Sequence, residues 1–155
     1  MTECDFRVND VTEIVKMEIS HISEVAGIEK ECFSVPWSEK ALEEEIGNKV
    51  SRFFVCLKDK EVIGYAGMHI MSGECYIDNI AVKMSHRRQK IGEALLKTLI
   101  ETAKAENGEF ISLEVRKSNA AAISLYEKYG FKNVGVRKNF YDLPTEDAII
   151  MTKTF

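Results

Sequence analysis

The segment 80–96 constrains the fold of this chain most, because an apolar strand pattern runs through a basic turn directly into an amphipathic helix pattern. The turn contains Arg87, Arg88 and Lys90, and the helix pattern starts beside it at Ile91. The first turn of a helix has amide groups without intrahelical partners and carries the positive end of the helix dipole. The segment therefore predicts a binding site for phosphate, with a pyrophosphate-bearing cofactor as the natural ligand.

The N-terminal part of the chain predicts a leader, a strand and a first helix. Residues 1–14 are polar and predict a leader, and residues 15–19 predict a strand. Apolar residues at helical spacing follow, with Ser20 or Ser23 as the N-cap, and Pro36 ends that segment.

The next part predicts a short helix and three antiparallel strands. Ser38 can cap the helix. Two apolar runs, 52–58 and 62–70, flank Asp59 and Lys60, which predicts a hairpin, and the run 75–82 adds a third strand.

After the basic turn, the pattern predicts alternating helices and strands. A long amphipathic helix starts at Ile91, and Gly108 is placed as its C-terminal stop. The remaining predicted elements are a strand at 110–115, a helix at 119–129 and closing strands at 134–137 and 149–154. A single α+β layered domain over residues 15–155 is the simplest interpretation.

Composition excludes several function classes. The 155 residues carry a net charge of −4, which argues against nucleic-acid binding, and no apolar stretch is long enough to span a membrane. The four cysteines match neither a redox pair nor a zinc site, so we expect reduced thiols in a cytoplasmic protein. His21, His69 and His86 lack ligand spacing, which predicts structural or surface roles and no metal. The run 43–45, three glutamates, predicts a solvated helix face, although it could attract a basic acceptor.

Several short blocks then point to a known family. They are Pro-Trp-Ser-Glu-Lys at 36–40, Asn-Ile-Ala-Val at 79–82, Leu-Glu-Val-Arg at 113–116, Ser-Asn-Ala-Ala-Ala-Ile at 118–123, Leu-Tyr-Glu at 125–127, Tyr-Gly-Phe at 129–131 and Glu-Asp-Ala-Ile-Ile-Met at 146–151. In this order they resemble the GNAT superfamily of acetyl-CoA-dependent N-acetyltransferases. Within it, the similarity is greatest to the bacterial ribosomal-protein-alanine N-acetyltransferases.

The resemblance implies a GNAT fold, with a central mixed seven-stranded sheet and about four helices on its two faces. It also implies acetyl-CoA as co-substrate and no metal. The residues that it assigns to cofactor binding are Ile80, Ala81, Val82, Arg87, Arg88, Gln89, Lys90, Ile91, Gly92, Glu93 and Asn119.

Lys90 departs from the family pattern, which has a glycine at this position. If the position needs a positive φ, the lysine is strained, whereas an ordinary conformation keeps its N–H available and adds a cation beside the pyrophosphate. Alternatively, Lys90 has no role in cofactor binding and is simply a solvated lysine at the start of a helix.

Glu114 and Tyr126 are the candidate catalytic residues. Glu114 lies near the C-terminal end of its predicted strand, where such sheets present ligand-facing groups, but it could equally pair with Arg116 or Lys117. Tyr126 lies on the apolar stripe of its helix and could be a core aromatic. The resemblance implies that Glu114 is the proton acceptor, directly or through water, and that Tyr126 is the proton donor to the leaving thiolate.

Three further residues have two interpretations each. Asn119 can cap its helix or bind the pantetheine arm, and the resemblance favours the second. Trp37 and Tyr141 can line the acceptor groove or be ordinary packing aromatics.

The leading hypothesis is acetyl transfer to a protein N-terminal α-amine, with the N-terminal alanine of a small-subunit ribosomal protein as the acceptor that the resemblance implies. A small amine, such as a polyamine or an antibiotic, is the second acceptor class. A non-catalytic acyl-CoA-binding module, suggested by Lys90, is the third hypothesis. The sequence leaves the oligomeric state open.

Overall fold

The protein forms a seven-stranded mixed sheet, seen in a computed structural model that describes residues 12–155. The sheet order is β1-β2-β3-β4-β5-β7-β6, and only β4 and β5 are parallel. The strands are β1 (Thr12–Lys16), β2 (Ser51–Lys58), β3 (Glu61–Met71), β4 (Glu74–Val82), β5 (Phe110–Arg116), β6 (Lys132–Tyr141) and β7 (Glu146–Thr154). The helices are α1 (Ile22–Cys32), α2 (Glu39–Ile46), α3 (Ile91–Ala105) and α4 (Ala120–Lys128).

The helices cover both faces of this sheet, as expected. On one face, Leu95 and Leu99 of α3 pack in a core that includes Met68 and Ile111, and α4 adds partly buried side chains to it. On the other face, α1 and α2 bury side chains around Phe53. The predicted fold class is confirmed. In the part of the chain described, no helix has both the length and the apolar content to span a bilayer.

Two N-terminal boundaries differ from the prediction. β1 begins at Thr12, so residues 12–14 of the predicted leader belong to the sheet, while the rest of the leader lies outside the described residues. Neither predicted serine caps α1, because a 3₁₀ turn precedes the helix and Glu18 makes a capping box with His21 there. Ser38 does cap α2, accepting a hydrogen bond from the Ala41 amide.

The C-terminal stop of α3 uses a different residue from the one predicted. Asn107 has a left-handed φ of 62°, and Gly108 then donates its N–H to the Ala103 carbonyl at 2.8 Å. This is a Schellman ending in which asparagine, not glycine, adopts the left-handed conformation. The two closing strands, β6 and β7, are also longer than predicted.

Strands β4 and β5 separate partway along their length. Their cross-strand pairs run from Glu74 with Phe110 to Tyr76 with Ser112 and end there, although β4 continues to Val82. Near the same point a register shift inserts one extra residue, Asp78, into β4 opposite β3. The sheet therefore has a V-shaped opening between its two central strands.

Candidate active site

The basic turn leads from the open end of β4 into α3. Lys90, the residue before α3, adopts a left-handed conformation with φ 63° and ψ 22°, and Arg88 has φ 64°. The position therefore does require a positive φ, which costs a side-chain-bearing residue about 1 kcal/mol. The Lys90 side chain makes no capping hydrogen bond and is exposed. The start of α3 therefore has the positive end of the helix dipole, no side-chain cap and nearby cationic side chains. These are the features of a phosphate-binding site.

Other residues of this turn have contacts within the protein. Arg87 donates to the Val82 carbonyl at 3.3 Å and to the Cys32 sulfur at 3.3 Å. Glu93 accepts from Lys128 Nζ at 2.8 Å and from the Tyr129 hydroxyl, which joins α3 to α4. Since the Ile91 side chain is buried, only its main chain can meet a ligand. Arg87, Arg88, Gln89 and Lys90 are all exposed.

One edge of β4 is available for main-chain pairing. Ile80, Ala81 and Val82 pair with β3 along one edge, and their other edge faces the opening toward β5. An extended amide chain can add to such an edge as an extra strand. The Val82 carbonyl already accepts bonds from Cys32 and Arg87, so Ile80 and Ala81 provide the better-placed main chain.

Glu114 projects from β5 on the face that carries α1 and α2. Its strand neighbours Leu113 and Val115 point into the core of the opposite face, as strand alternation requires. Its side chain is 31% exposed and accepts from Arg137 Nε at 3.1 Å. The alternative of a local pair with Arg116 or Lys117 is wrong for Arg116, whose guanidinium instead binds Glu146 at 3.2 Å. Arg137 lies on β6, 23 residues further along the chain, so this pair could not be predicted from neighbours in sequence.

Tyr126 is both a core aromatic and a candidate donor. Its ring lies 5.7 Å from that of Phe131, on the α3 face of the sheet. Burial, with a smaller contribution from Tyr141, raises its pKa to about 12. Full proton transfer to a thiolate whose thiol has a pKa near 8.5 is uphill by roughly 5 kcal/mol. A neutral hydroxyl that donates a hydrogen bond is therefore the form that the site favours.

Trp37 and Tyr141 lie in two segments that meet above the sheet. The Ser34 hydroxyl donates to the Asp142 carbonyl at 3.4 Å and joins these segments. The Trp37 ring packs 5.8 Å from Phe53. The Arg116 guanidinium lies 4.5 Å from the centre of the Tyr141 ring, and burial raises the pKa of Tyr141 to about 12. Both aromatics are half-buried.

Asn119 caps α4 through its side-chain oxygen. This oxygen accepts a hydrogen bond from the Ala122 amide at 3.2 Å. Of the two interpretations of Asn119, the structure therefore shows the helix cap. Its role toward pantetheine stays a prediction.

The buried carboxylate of Glu29 was not predicted from the sequence. Glu29 of α1 is fully buried and accepts from the Trp37 amide at 2.8 Å, from Asn79 Nδ2 at 2.9 Å and from the Tyr65 hydroxyl. Burial raises its pKa from the ordinary value. The sequence pattern does indicate this burial, because Glu29 lies four residues after Val25 and therefore on the same buried side of the helix.

A second missed group surrounds His69 on the same face. Its Nδ1 lies 2.5 Å from Asp78 Oδ2 and its Nε2 lies 3.1 Å from Glu45 Oε1. The prediction of a solvated glutamate face is therefore correct for Glu43 and Glu44 but wrong for Glu45, which is half-buried.

No metal site emerges in residues 12–155, where acidic, cysteine and histidine side chains form no suitable group of three or more. Cys32, Cys56 and Cys75 are free thiols. A cytoplasmic location stays a prediction.

Comparison with known proteins assigns the family. The sequence profile of the Acetyltransferase (GNAT) family matches residues 22–131. The chain belongs to the GNAT family of acetyltransferases. It is similar to the [ribosomal protein bS18]-alanine N-acetyltransferase of Escherichia coli strain K12, at 37% identity over 142 residues, covering 89% of this chain and 94% of the relative. The corresponding protein of Salmonella typhimurium is 38% identical over 130 residues, covering 80% and 84% of the two chains.

Solved structures agree with this assignment. The crystal structure of the ribosomal-protein-S18-alanine N-acetyltransferase from Escherichia coli superposes with a TM-score of 0.87 at 33% identity, covering 93% of this chain and 94% of that one. This GNAT protein is an acetyl-CoA-dependent N-acetyltransferase, so the hypothesis of a non-catalytic binding module is set aside.

Proposed function

We propose that this GNAT enzyme transfers acetyl from acetyl-CoA to a protein N-terminal α-amine, the N-terminal alanine of ribosomal protein bS18. The proposal rests on the position of Glu114, whose half-buried carboxylate stands beside the opening between β4 and β5. The names of the Escherichia coli and Salmonella typhimurium relatives support the acceptor.

The strength of the base suits an α-amine. An N-terminal amine has a pKa near 8, so removing its proton at pH 7 costs about 1 kcal/mol, against about 4.6 kcal/mol for a lysine. A carboxylate such as that of Glu114 is a sufficient acceptor for the first proton, directly or through a water. The neutral amine then attacks the thioester carbonyl without an acyl-enzyme.

Bound acetyl-CoA supplies the thioester. The free edge of β4 at Ile80 and Ala81 would pair with its pantetheine amides, and the start of α3 with Arg88 would hold its pyrophosphate. Tyr126 would donate a hydrogen bond to the departing sulfur. The further cofactor-binding residues of the proposal are Val82, Arg87, Gln89, Lys90, Ile91, Gly92, Glu93 and Asn119.

The acceptor would lie on the α1–α2 face. Trp37 and Tyr141, in segments joined by the bond from Ser34 to Asp142, would form its walls. Helices α1 and α2 pack mainly on β2, β3 and β4, and Arg137 of β6, on the same face as Glu114, is exposed. A groove open toward β6 favours a peptide over a small enclosed amine.

The test compares Glu114→Gln with Glu109→Gln, a matched loss of an exposed carboxylate directly before β5. We expect Glu114→Gln to lower kcat for a synthetic peptide that begins with alanine by about a hundredfold or more, with CoA affinity unchanged. Tyr126→Phe should also lower kcat, because the leaving thiolate loses its donor. Coenzyme A release measures turnover, and calorimetry measures binding.

Two results would contradict the proposal. A kcat of Glu114→Gln equal to that of the control would remove Glu114 from the role of base. Faster turnover with polyamines or lysine peptides than with N-terminal peptides would instead assign the enzyme to another acceptor class.

A further inference from the structure

Asp78 and Glu114 occupy equivalent places on the two strands that separate. The last pair of β4 with β5 is Tyr76 with Ser112, and each carboxylate stands two residues beyond it on its own strand. Two residues along a strand return to the same face. The two side chains therefore flank the opening from opposite sides, on the α1–α2 face.

The extra residue in β4 places two consecutive side chains, Asp78 and Asn79, on one face of the sheet. Gly67 pairs with Asn79 while Met68 pairs with Ile77, which leaves Asp78 without a partner on β3. Asp78 contacts His69 and Asn79 contacts Glu29, so two consecutive side chains point toward the helices of one face. A bulge redirects side chains in this way, and here it turns Asn79 to the face that Asp78 already occupies.

His69 and Glu45 hold Asp78 in place. His69 binds Asp78 through one ring nitrogen and Glu45 through the other. Glu45 also accepts from the Ser51 hydroxyl at 2.5 Å. The side chain of Asp78 is 22% exposed, so these contacts do not enclose it fully.

The Asp78 carboxyl group lies among other charged groups. Burial raises its pKa to about 6, the His69 charge opposes this, and Glu45 and Glu114 add to the rise. Two carboxylates that flank one opening favour a cation between them, in addition to the Arg137 guanidinium that binds Glu114 at 3.1 Å. The protonated α-amine of a peptide is such a cation, and it arrives at this opening in the proposed reaction.

We propose that Asp78 is a second amine-binding carboxylate, which holds the acceptor α-ammonium opposite Glu114 while His69 and Glu45 orient it. This inference rests on the proposed function and adds a binding residue to it. Glu114 then takes the proton and Asp78 retains the amine by a charge-assisted hydrogen bond.

The test measures Asp78→Asn against Glu74→Gln, which removes an exposed carboxylate from the same strand. We expect Asp78→Asn to raise the KM for the alanine peptide about tenfold, because a hydrogen bond to a charged group is lost. The KM for acetyl-CoA and the KM values of the control should stay within about twofold of wild type.

A second probe separates recognition of the amine from a structural effect. It is the same peptide with its N-terminal alanine replaced by a propionyl group, which lacks the ammonium and acts as a competitive inhibitor. We expect equal inhibition constants for wild type and Asp78→Asn. His69→Asn, which keeps a donor for Asp78 but loses the contact with Glu45, should give an intermediate KM for the amine peptide.

The outcomes distinguish the two proposals. This inference alone would be overturned if Asp78→Asn and Glu74→Gln had equal KM values. It would also be overturned if Asp78→Asn weakened binding of the propionyl peptide as much as it raised the KM for the amine peptide. A wild-type enzyme that acetylates no alanine peptide would overturn the proposed function.

Discussion

At the residue scale, Lys90 shows how a functional turn accepts a backbone cost. Its left-handed φ of 63° suits glycine, the residue that the family pattern has there. A lysine at this place adds a positive charge next to the start of α3, where an anion is already favoured. Backbone strain and electrostatic gain therefore oppose each other at one position.

Two substitutions at Lys90 separate these effects. Lys90→Gly and Lys90→Ala remove the same charge, but only glycine relieves the positive φ. We expect the glycine variant to be more stable than the alanine variant by about 1 kcal/mol in urea unfolding. Both variants should lose CoA affinity equally. A glycine variant less stable than the alanine variant would show that the turn is not strained.

Other residues show what sequence can and cannot predict at this scale. The Ser38 cap was predictable because its partner lies three residues away. The Arg137 partner of Glu114 and the Asp78 partner of His69 were not, because each depends on strand register. Local chemistry can be inferred from neighbours in sequence, whereas cross-strand pairs need the fold.

At the element scale, Glu29 connects α1 to strands β3 and β4. It accepts from Tyr65 on β3, from Asn79 on β4 and from the Trp37 amide after α1. A fully buried carboxylate is retained only where donors replace its water. This network fixes the start of the Trp37 segment relative to the bulge in β4.

Removal of this carboxylate should loosen all three connections. Glu29→Ala leaves buried donors unpaired, so we expect a loss of about 2–4 kcal/mol in the free energy of unfolding. Glu31→Ala is the matched control, since Glu31 lies on the same helix, is exposed and, among residues 12–155, accepts a hydrogen bond only from the Met84 amide. Its effect should be about 0.5 kcal/mol. Equal losses in urea titrations would remove Glu29 from this linking role.

The boundaries of elements were predicted unevenly. Strong helical periodicity gave the start of α3 at Ile91 correctly, and the turn at Asp59 and Lys60 gave the β2–β3 hairpin. The start of β1 was missed because Thr12 and Glu13 are polar residues whose place in the sheet comes from pairing with β2. Edge strands carry a weak sequence signal since much of their surface stays in water.

At the scale of the whole molecule, the decisive feature is the opening between β4 and β5. The order of elements along the chain predicted the fold, but the end of pairing at Tyr76 and Ser112 is a long-range property. The opening gives β4 a free edge beside the start of α3 and admits Glu114 from one face of the sheet. Family membership makes the chain an enzyme, and this geometry supports the proposed path of the cofactor.

Amide hydrogen exchange can test that path across the entire chain. We expect CoA to slow exchange in residues 77–82 of β4 and in the first turn of α3, because its amides and pyrophosphate would occupy those N–H groups. Exchange in β1, at the far edge of the sheet, should stay unchanged. Uniform slowing that includes β1 would indicate general stabilisation by ligand rather than contact at the opening. Protection confined to the basic turn would mean that CoA binds through its phosphates alone, without pairing to β4.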